Sequence, residues 1–209
     1  MPTILHLKAS PRAESFSAKV AGEFMQAFLE SHRSWEAQTL DLFEAELPEF
    51  AAPAASAKYA VMGGAAPADD AAVAWKRVIE VVDQLTSSGA LVISAPMWNF
   101  SIPYRLKHYI DLIVQPGLTF SFSPETGYAG LVTGRPAVLI LARGGEYPPG
   151  TDAGGMDMQR PYLERILGFI GFTDIRTVLI EPTLHGGPVV AEDKTDQAVA
   201  EARKVARGL

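Results

Sequence analysis

Hydrophobic positions along this chain switch between a strand-like and a helix-like period. Thr3–Lys8 reads as a first strand, ending at Ala9-Ser10-Pro11. From Ser17, a candidate helix cap, to about Arg33, Val20, Phe24 and Phe28 recur four apart with Ala21, Met25 and Leu29 beside them. Gln38–Asp41 is a short second strand. Phe43–Ala66, rich in Ala and Pro and carrying Gly63-Gly64, has no clear period and reads as a surface loop or as a lid over a site. Asp69 or Asp70 caps the next helix, whose Trp75, Val78, Ile79, Val82 and Leu85 share one apolar face. Ala90–Ala95 and Ala137–Ala142 are near-continuous apolar runs, as strands buried on both faces should be. Pro103–Val114 is a helix with proline at its first turn, and Gly117–Gly134 is a β-like excursion. A helix near Arg160–Gly168, a strand over Ile175–Glu181 and a helix over Ala191–Arg207 complete the pattern.

Five strands separated by helices predict an α/β protein with a five-stranded parallel sheet, order 2-1-3-4-5, and helices on both faces. No repeat, linker or low-complexity tail divides residues 1–209, so one domain is expected. Composition narrows the chemistry. Cysteine is absent, which excludes disulfides, thiolate metal sites, iron–sulfur clusters and cysteine nucleophiles. The net charge of −6 argues against the broad basic surface that duplex DNA requires. No apolar run approaches the ~20 residues of a membrane span. The N-terminus has no basic stretch followed by an apolar one, so a cytoplasmic location is expected.

In an open parallel sheet the ligand lies beyond the carboxyl ends of the strands, where strand order reverses. The loops after the first, third and fourth expected strands are the chemically distinctive ones. The first, residues 10–17, offers the hydroxyls of Ser10, Ser15 and Ser17 just before a helix. That is either a phosphate cradle or a plain serine-capped helix. It lacks Gly-x-Gly-x-x-Gly and Gly-Lys-Ser/Thr, so a monophosphate suits it better than a pyrophosphate. The second loop gathers Met97, Trp98, Asn99 and Phe100 between Pro96 and Pro103, as a wall for a flat ring or as core side chains. The third holds Gly144 and Gly145, either an ordinary turn or backbone N–H donors able to meet charge on the N1–C2 edge of a flavin.

Residues 96–103, then Leu106-Lys107-His108-Tyr109-Ile110-Asp111 and Gly117-Leu118-Thr119-Phe120, resemble the FMN-dependent NADH-azoreductases, a branch of the flavodoxin-like quinone reductases. The likeness continues through Arg143-Gly144-Gly145 and Leu167–Gly171. It implies a flavodoxin-like fold and an enzyme passing a hydride from NADH or NADPH through bound FMN to a quinone or azo compound in alternating half-reactions. It also implies a homodimer with FMN at the subunit interface. Ser10, Ser15, Phe16 and Ser17 would contact the phosphate. Met97, Trp98, Asn99 and Phe100 would line the isoalloxazine, with Asn99 at its reactive centre. Ala142, Arg143, Gly144 and Gly145 would bind the pyrimidine edge, Ala142 standing where members often carry a hydroxyl. Tyr128 and Phe172 would shape the substrate pocket across the dimer. Lys58 and Arg160 are candidates for telling NADPH from NADH.

His6 reads as a core histidine, and His32 and His108 as surface or interface positions on helices. His185 falls in a turn after the last strand. No His-x-x-x-His or His-Glu-x-x-His spacing occurs, so no metal is expected. Asp152–Asp157 lacks calcium-loop spacing and reads as a flexible loop. Two other classes compete with the oxidoreductase: a flavodoxin-like electron carrier without its own substrate, and a phosphoester hydrolase using the serine loop.

Overall fold

The computed structural model describes residues 1–209. In chain order the elements are β1 (Thr3–Lys8), α1 (Phe16–Ser31), β2 (Glu36–Asp41), α2 (Ala52–Met62), α3 (Asp69–Thr86), β3 (Ala90–Pro96) and α4 (Tyr104–Ile113). There follow β4 (Phe120–Ser123), β5 (Gly127–Gly130), β6 (Pro136–Ala142), α5 (Asp152–Gly155), α6 (Arg160–Ile170), β7 (Asp174–Ile180) and α7 (Gly187–Arg207).

Five strands pair in parallel in the order β2-β1-β3-β6-β7. In chain numbering this is 2-1-3-6-7 rather than the expected 2-1-3-4-5. The residue 117–134 excursion forms a separate antiparallel hairpin, β4–β5, between the third and fourth positions of the sheet.

Alternation along the central strands divides the core between two faces. Leu5, Leu7, Leu91, Ile93, Leu139 and Leu141 point to one side, against Leu106, Tyr109, Ile110 and Ile113 of α4 and Leu163, Leu167 and Ile170 of α6. Ile4, Val92, Val138 and Ile140 point to the other, against Val20, Phe24 and Phe28 of α1 and Ala198, Ala202 and Ala206 of α7. The alanines recur every four residues, so α7 presents a flat stripe that lets it lie close to α1. β2 is the exposed edge strand, which is why its apolar signal is weak and its start precedes the expected Gln38.

Four local expectations need correction. The cap of α1 is Ser15, whose Oγ accepts from the Ala18 amide at 3.3 Å, while Ser17 lies inside the first turn. Asp69 and Asp70 occupy the first turn of α3 and meet its positive end, but the cap position is Ala68. Residues 43–66 are not wholly irregular. His108 holds the Pro48 carbonyl at 2.9 Å, and Arg105 holds those of Leu42 and Ala45. The segment then forms α2, with proline in its first turn and only Ala54 and Ala57 buried, which leaves no amphipathic signature. The Asp152–Asp157 loop likewise contains the single turn α5, capped by Thr151.

His6 is a core residue, its Nε2 2.9 Å from the Ser94 hydroxyl on the neighbouring strand. Burial, reinforced by the charge on Lys8, pushes its imidazole down from 6.5 to about 4. Between those values the unfolded chain binds a proton that the folded protein refuses, so stability falls as pH falls through this window. Acidification from pH 6.5 to 4 is expected to cost about 3 kcal/mol through His6 alone. Urea titrations of parent and His6→Gln apoprotein check this; equal pH slopes for the two would exclude the assignment.

Candidate active site

The three loops expected to carry chemistry meet at the carboxyl edge of β1, β3 and β6, the central strands of the sheet. After β1, the hydroxyl-bearing residues turn inward: Ser10 is 1% exposed, Ser15 7% and Ser17 0%. The Ser15 and Ser17 hydroxyls lie 3.1 Å apart, and the Ser10 Oγ accepts the Arg12 amide at 3.4 Å. Phe16 and Ser17 are the first two residues of α1, so their amides precede any intrahelical acceptor. Buried hydroxyls, open amides and the positive end of a 16-residue helix make a donor set fitted to an anion.

After β3, the Met97 amide donates to the Ala142 carbonyl at 2.8 Å, tying the second loop to the third. Trp98 and Ser101 then exchange two backbone hydrogen bonds of 2.9 Å around a tight turn. The two residues inside it, Asn99 and Phe100, have φ of +48° and +65°. Positive φ at both central positions is the type I′ pattern. Asparagine tolerates that conformation, whereas an aromatic side chain is strained in it. The turn lifts Asn99 and Phe100 out of the core, and Phe100 is 47% exposed.

After β6, Ala142 is buried with no polar side chain to offer. The amides of Gly144 and Gly145 donate to no protein acceptor, while the Gly144 carbonyl accepts from Leu184 and His185, both at 3.1 Å. A side chain at 144 would press on Leu184, and one at 145 would meet the His185 imidazole at 3.3 Å. The turn after β7 therefore backs this loop, a pairing the sequence pattern does not show.

Arg143 departs from the expected role of cofactor ligand. Its side chain is 1% exposed and points under the loop, in ion pairs with Asp157 at 2.9 Å and Glu181 at 3.3 Å. Phe172, expected to shape the substrate pocket across the dimer, is 2% exposed in this chain and packs in its core. Tyr128 is 65% exposed on β5, in a groove of about 860 Å³ shared with Tyr59, Met62, Phe122 and Phe169. A second cavity, of about 980 Å³, lies beside the β3 loop and is lined by Trp98, Asn99, Tyr104, His108, Asp157 and Tyr162. The two share no residue, with Asn99 lining one and Tyr128 the other. Tyr104 and Tyr162 escaped sequence reasoning because each sits where its helix periodicity also permits a packing role. Of the two candidates for NADPH discrimination, Arg160 is paired with Glu164 at 2.7 Å, and Lys58 lies 5.8 Å from the Phe50 ring centre.

A parallel sheet with its ligand crevice at the switch point places the protein among the doubly wound α/β proteins. More specifically, the chain belongs to the family described as having a flavodoxin-like fold, whose profile matches residues 2–206. It is 52% identical over 209 residues to the FMN-dependent NADH:quinone oxidoreductase of Nitratidesulfovibrio vulgaris, covering 99% of each chain. The enzyme of that name from Desulfotalea psychrophila is 46% identical, with 88% of this chain and 87% of that one covered. Among solved structures, an azoreductase from Bacillus anthracis superposes with a TM-score of 0.91 at 30% identity over 100% of both chains. An FMN-dependent NADH-azoreductase from the same organism, in complex with FMN, gives 0.86 at 26% identity, covering 99% of this chain and 100% of that one. The resemblance first visible in residues 96–111 is thus borne out across the chain.

Proposed function

We propose that this chain is an FMN-dependent NAD(P)H oxidoreductase that reduces quinones and aromatic azo compounds. It acts as a single domain over residues 1–209, as a homodimer with FMN at the interface, in the cytoplasm. The observation that carries the reading is the convergence of three unlike donor sets on one edge of the sheet. These are buried serines at a helix start, an aromatic turn at positive φ, and two glycine amides without partners.

FMN, when bound, supplies a hydride relay, loaded by NAD(P)H and discharged to the acceptor in a second half-reaction. The chain's own residues do the rest. Ser10, Ser15 and Ser17, with the amides of Phe16 and Ser17, hold the phosphate. Met97, Trp98 and Phe100 wall the ring and exclude water. The Gly144 and Gly145 amides donate to the pyrimidine edge, where negative charge gathers on reduction. Asn99 directs its side-chain amide at the reactive centre. Tyr128, on an exposed aromatic hairpin, meets the acceptor from the partner subunit, a placement supported by its exposure and by its lying in a different cavity from Asn99. No helix is long and apolar enough to cross a membrane.

Steady-state turnover with NADH and a benzoquinone tests the reading. Parallel double-reciprocal lines and a particle mass twice the chain's 22.5 kDa are expected. NADH oxidation that no quinone or azo dye stimulates would point instead to an electron carrier. Asn99 separates backbone from side chain. Asn99→Ala is expected to lose about 1 kcal/mol of stability, since φ is positive, whereas Asn99→Gly is not. Both lack the amide and both should slow flavin reduction in stopped flow. A glycine variant reducing at the parent rate would remove Asn99 from the chemistry.

A further inference from the structure

Arg143 is the largest of the fully buried side chains, and its backbone and guanidinium all face protein groups. Its amide donates to Ile180 and its carbonyl accepts from the Thr183 amide and hydroxyl, all at 2.9 Å. In the guanidinium, Nε donates to the Gln159 side chain at 3.1 Å, Nη1 faces Glu181 at 3.3 Å, and Nη2 faces Asp157 at 2.9 Å. The Nη2 contact is an ion pair without a hydrogen bond, and the whole guanidinium is enclosed by protein.

The connections continue outward from there. The other carboxylate oxygen of Asp157 accepts the amides of Gln159 at 2.9 Å and Arg160 at 3.1 Å, anchoring the start of α6. Between them, the Met158 amide donates to the Phe100 carbonyl at 2.8 Å. Phe100 is the strained residue of the β3 turn. Tyr147 braces both ends, with its ring edge-on to Phe100 at 6.4 Å and 5.8 Å from the Arg143 guanidinium. A buried ion cluster adds little net stability over apolar packing of the same volume. What this one adds is a tie from the β6 loop to residues 157–159, beside the backbone bonds that already join the β6 loop to the β3 and β7 loops.

We propose that Arg143 is a positioning residue of the flavin site. Its buried pairing with Asp157 and Glu181 fixes residues 157–159 so that the Met158 amide holds the Phe100 carbonyl, and with it the Asn99–Phe100 turn. This rests on the FMN reading above, and acts on the ring end of the site rather than on the phosphate end.

The test uses parent, Arg143→Lys and Asp157→Asn protein. The lysine keeps one charge but cannot span three partners. The asparagine keeps the oxygen that accepts from α6. Arg143→Met would strand two buried carboxylates and is expected to misfold, so the conclusion rests on the first two. Two quantities are read: exchange of the Met158 amide relative to that of Val138 in the apoprotein, and the Kd for FMN and for riboflavin by fluorescence quenching. Both variants are expected to speed Met158 exchange about tenfold over Val138 and to weaken FMN and riboflavin equally, by about tenfold or more. Parental exchange at Met158 overturns the route through Phe100, whatever the affinity. Exchange that rises equally at Met158 and Val138 marks a merely structural role and also overturns it. So does faster Met158 exchange with parental affinity. Failure of the flavin reading itself would be seen in the parent, as no FMN bound, without recourse to any variant.

Discussion

Replacing Ser15 by aspartate is expected to lower FMN affinity by about two to three orders of magnitude while leaving the fold intact. Ser15 is the cap of α1, and aspartate caps a helix as well as serine does. The carboxylate also meets the positive helix end favourably, so thermal stability of the apoprotein should hold or rise slightly. Toward a phosphate on the same cradle the effect reverses. Two negative charges about 4 Å apart at an effective dielectric near 20 repel by about 4 kcal/mol. Riboflavin, which lacks the phosphate, should bind the variant nearly as well as the parent. Equal losses for FMN and riboflavin would mean that the substitution acts on the fold. No loss for FMN would place its phosphate elsewhere.

Gly130→Ala is expected to cost more than about 3 kcal/mol, a drop of about 10 °C in Tm for a chain of this size. Gly130 ends β5 where the hairpin crosses the end of α6. A Cβ there would fall 2.5 Å from the Ile170 carbonyl carbon and from the Gly171 Cα. Both are backbone atoms, and neither can swing aside as a side chain would. The junction is pinned further by the Val132 amide on the Ile170 carbonyl at 2.8 Å, and Gly171 itself has φ of +121°. Gly168→Ala is the contrast: it lies inside α6 with open space around its Cβ position and should stabilise by up to about 1 kcal/mol. Differential scanning of the two variants separates steric crowding from helix propensity. A Gly130→Ala protein melting with the parent would mean that the hairpin and α6 are not locked together. Since the hairpin carries Tyr128, quinone turnover should fall with the same substitution.

The parts of this molecule legible in its sequence are those where one physical demand dominates. Thr3–Lys8 is a strand over the residues expected, and β3 and β6 each differ by one residue, because strands buried on both faces admit little besides apolar side chains. The three site loops were legible because their residue types, Ser-x-Ser, Trp-Asn-Phe and Gly-Gly, suit neither sheet nor helix interiors. α2 was not legible, since a helix burying only two alanines leaves no periodic trace. Strand order differs in chain numbering because the excursion over 117–134, expected to be β-like but not counted among the sheet strands, forms two strands of its own before β6. Arg143 shows a deeper limit. An arginine before two glycines at a strand end suggests a ligand contact, but its direction depends on Asp157 and Glu181, 14 and 38 residues away. Pairing over that separation is a property of the fold and leaves no local pattern. Phe172 carries the same ambiguity: an aromatic after a helix-ending glycine can face either way, and in this chain it packs in the core.

The most direct test of the account is one anaerobic visible spectrum of the protein passed through a desalting column after mixing with FMN. The account predicts a flavin band that stays with the protein, bleaches on addition of NADH or NADPH, and returns on addition of a quinone. A retained band that neither nucleotide bleaches would contradict the enzyme reading and favour an electron carrier, and a protein emerging without flavin would contradict the site itself.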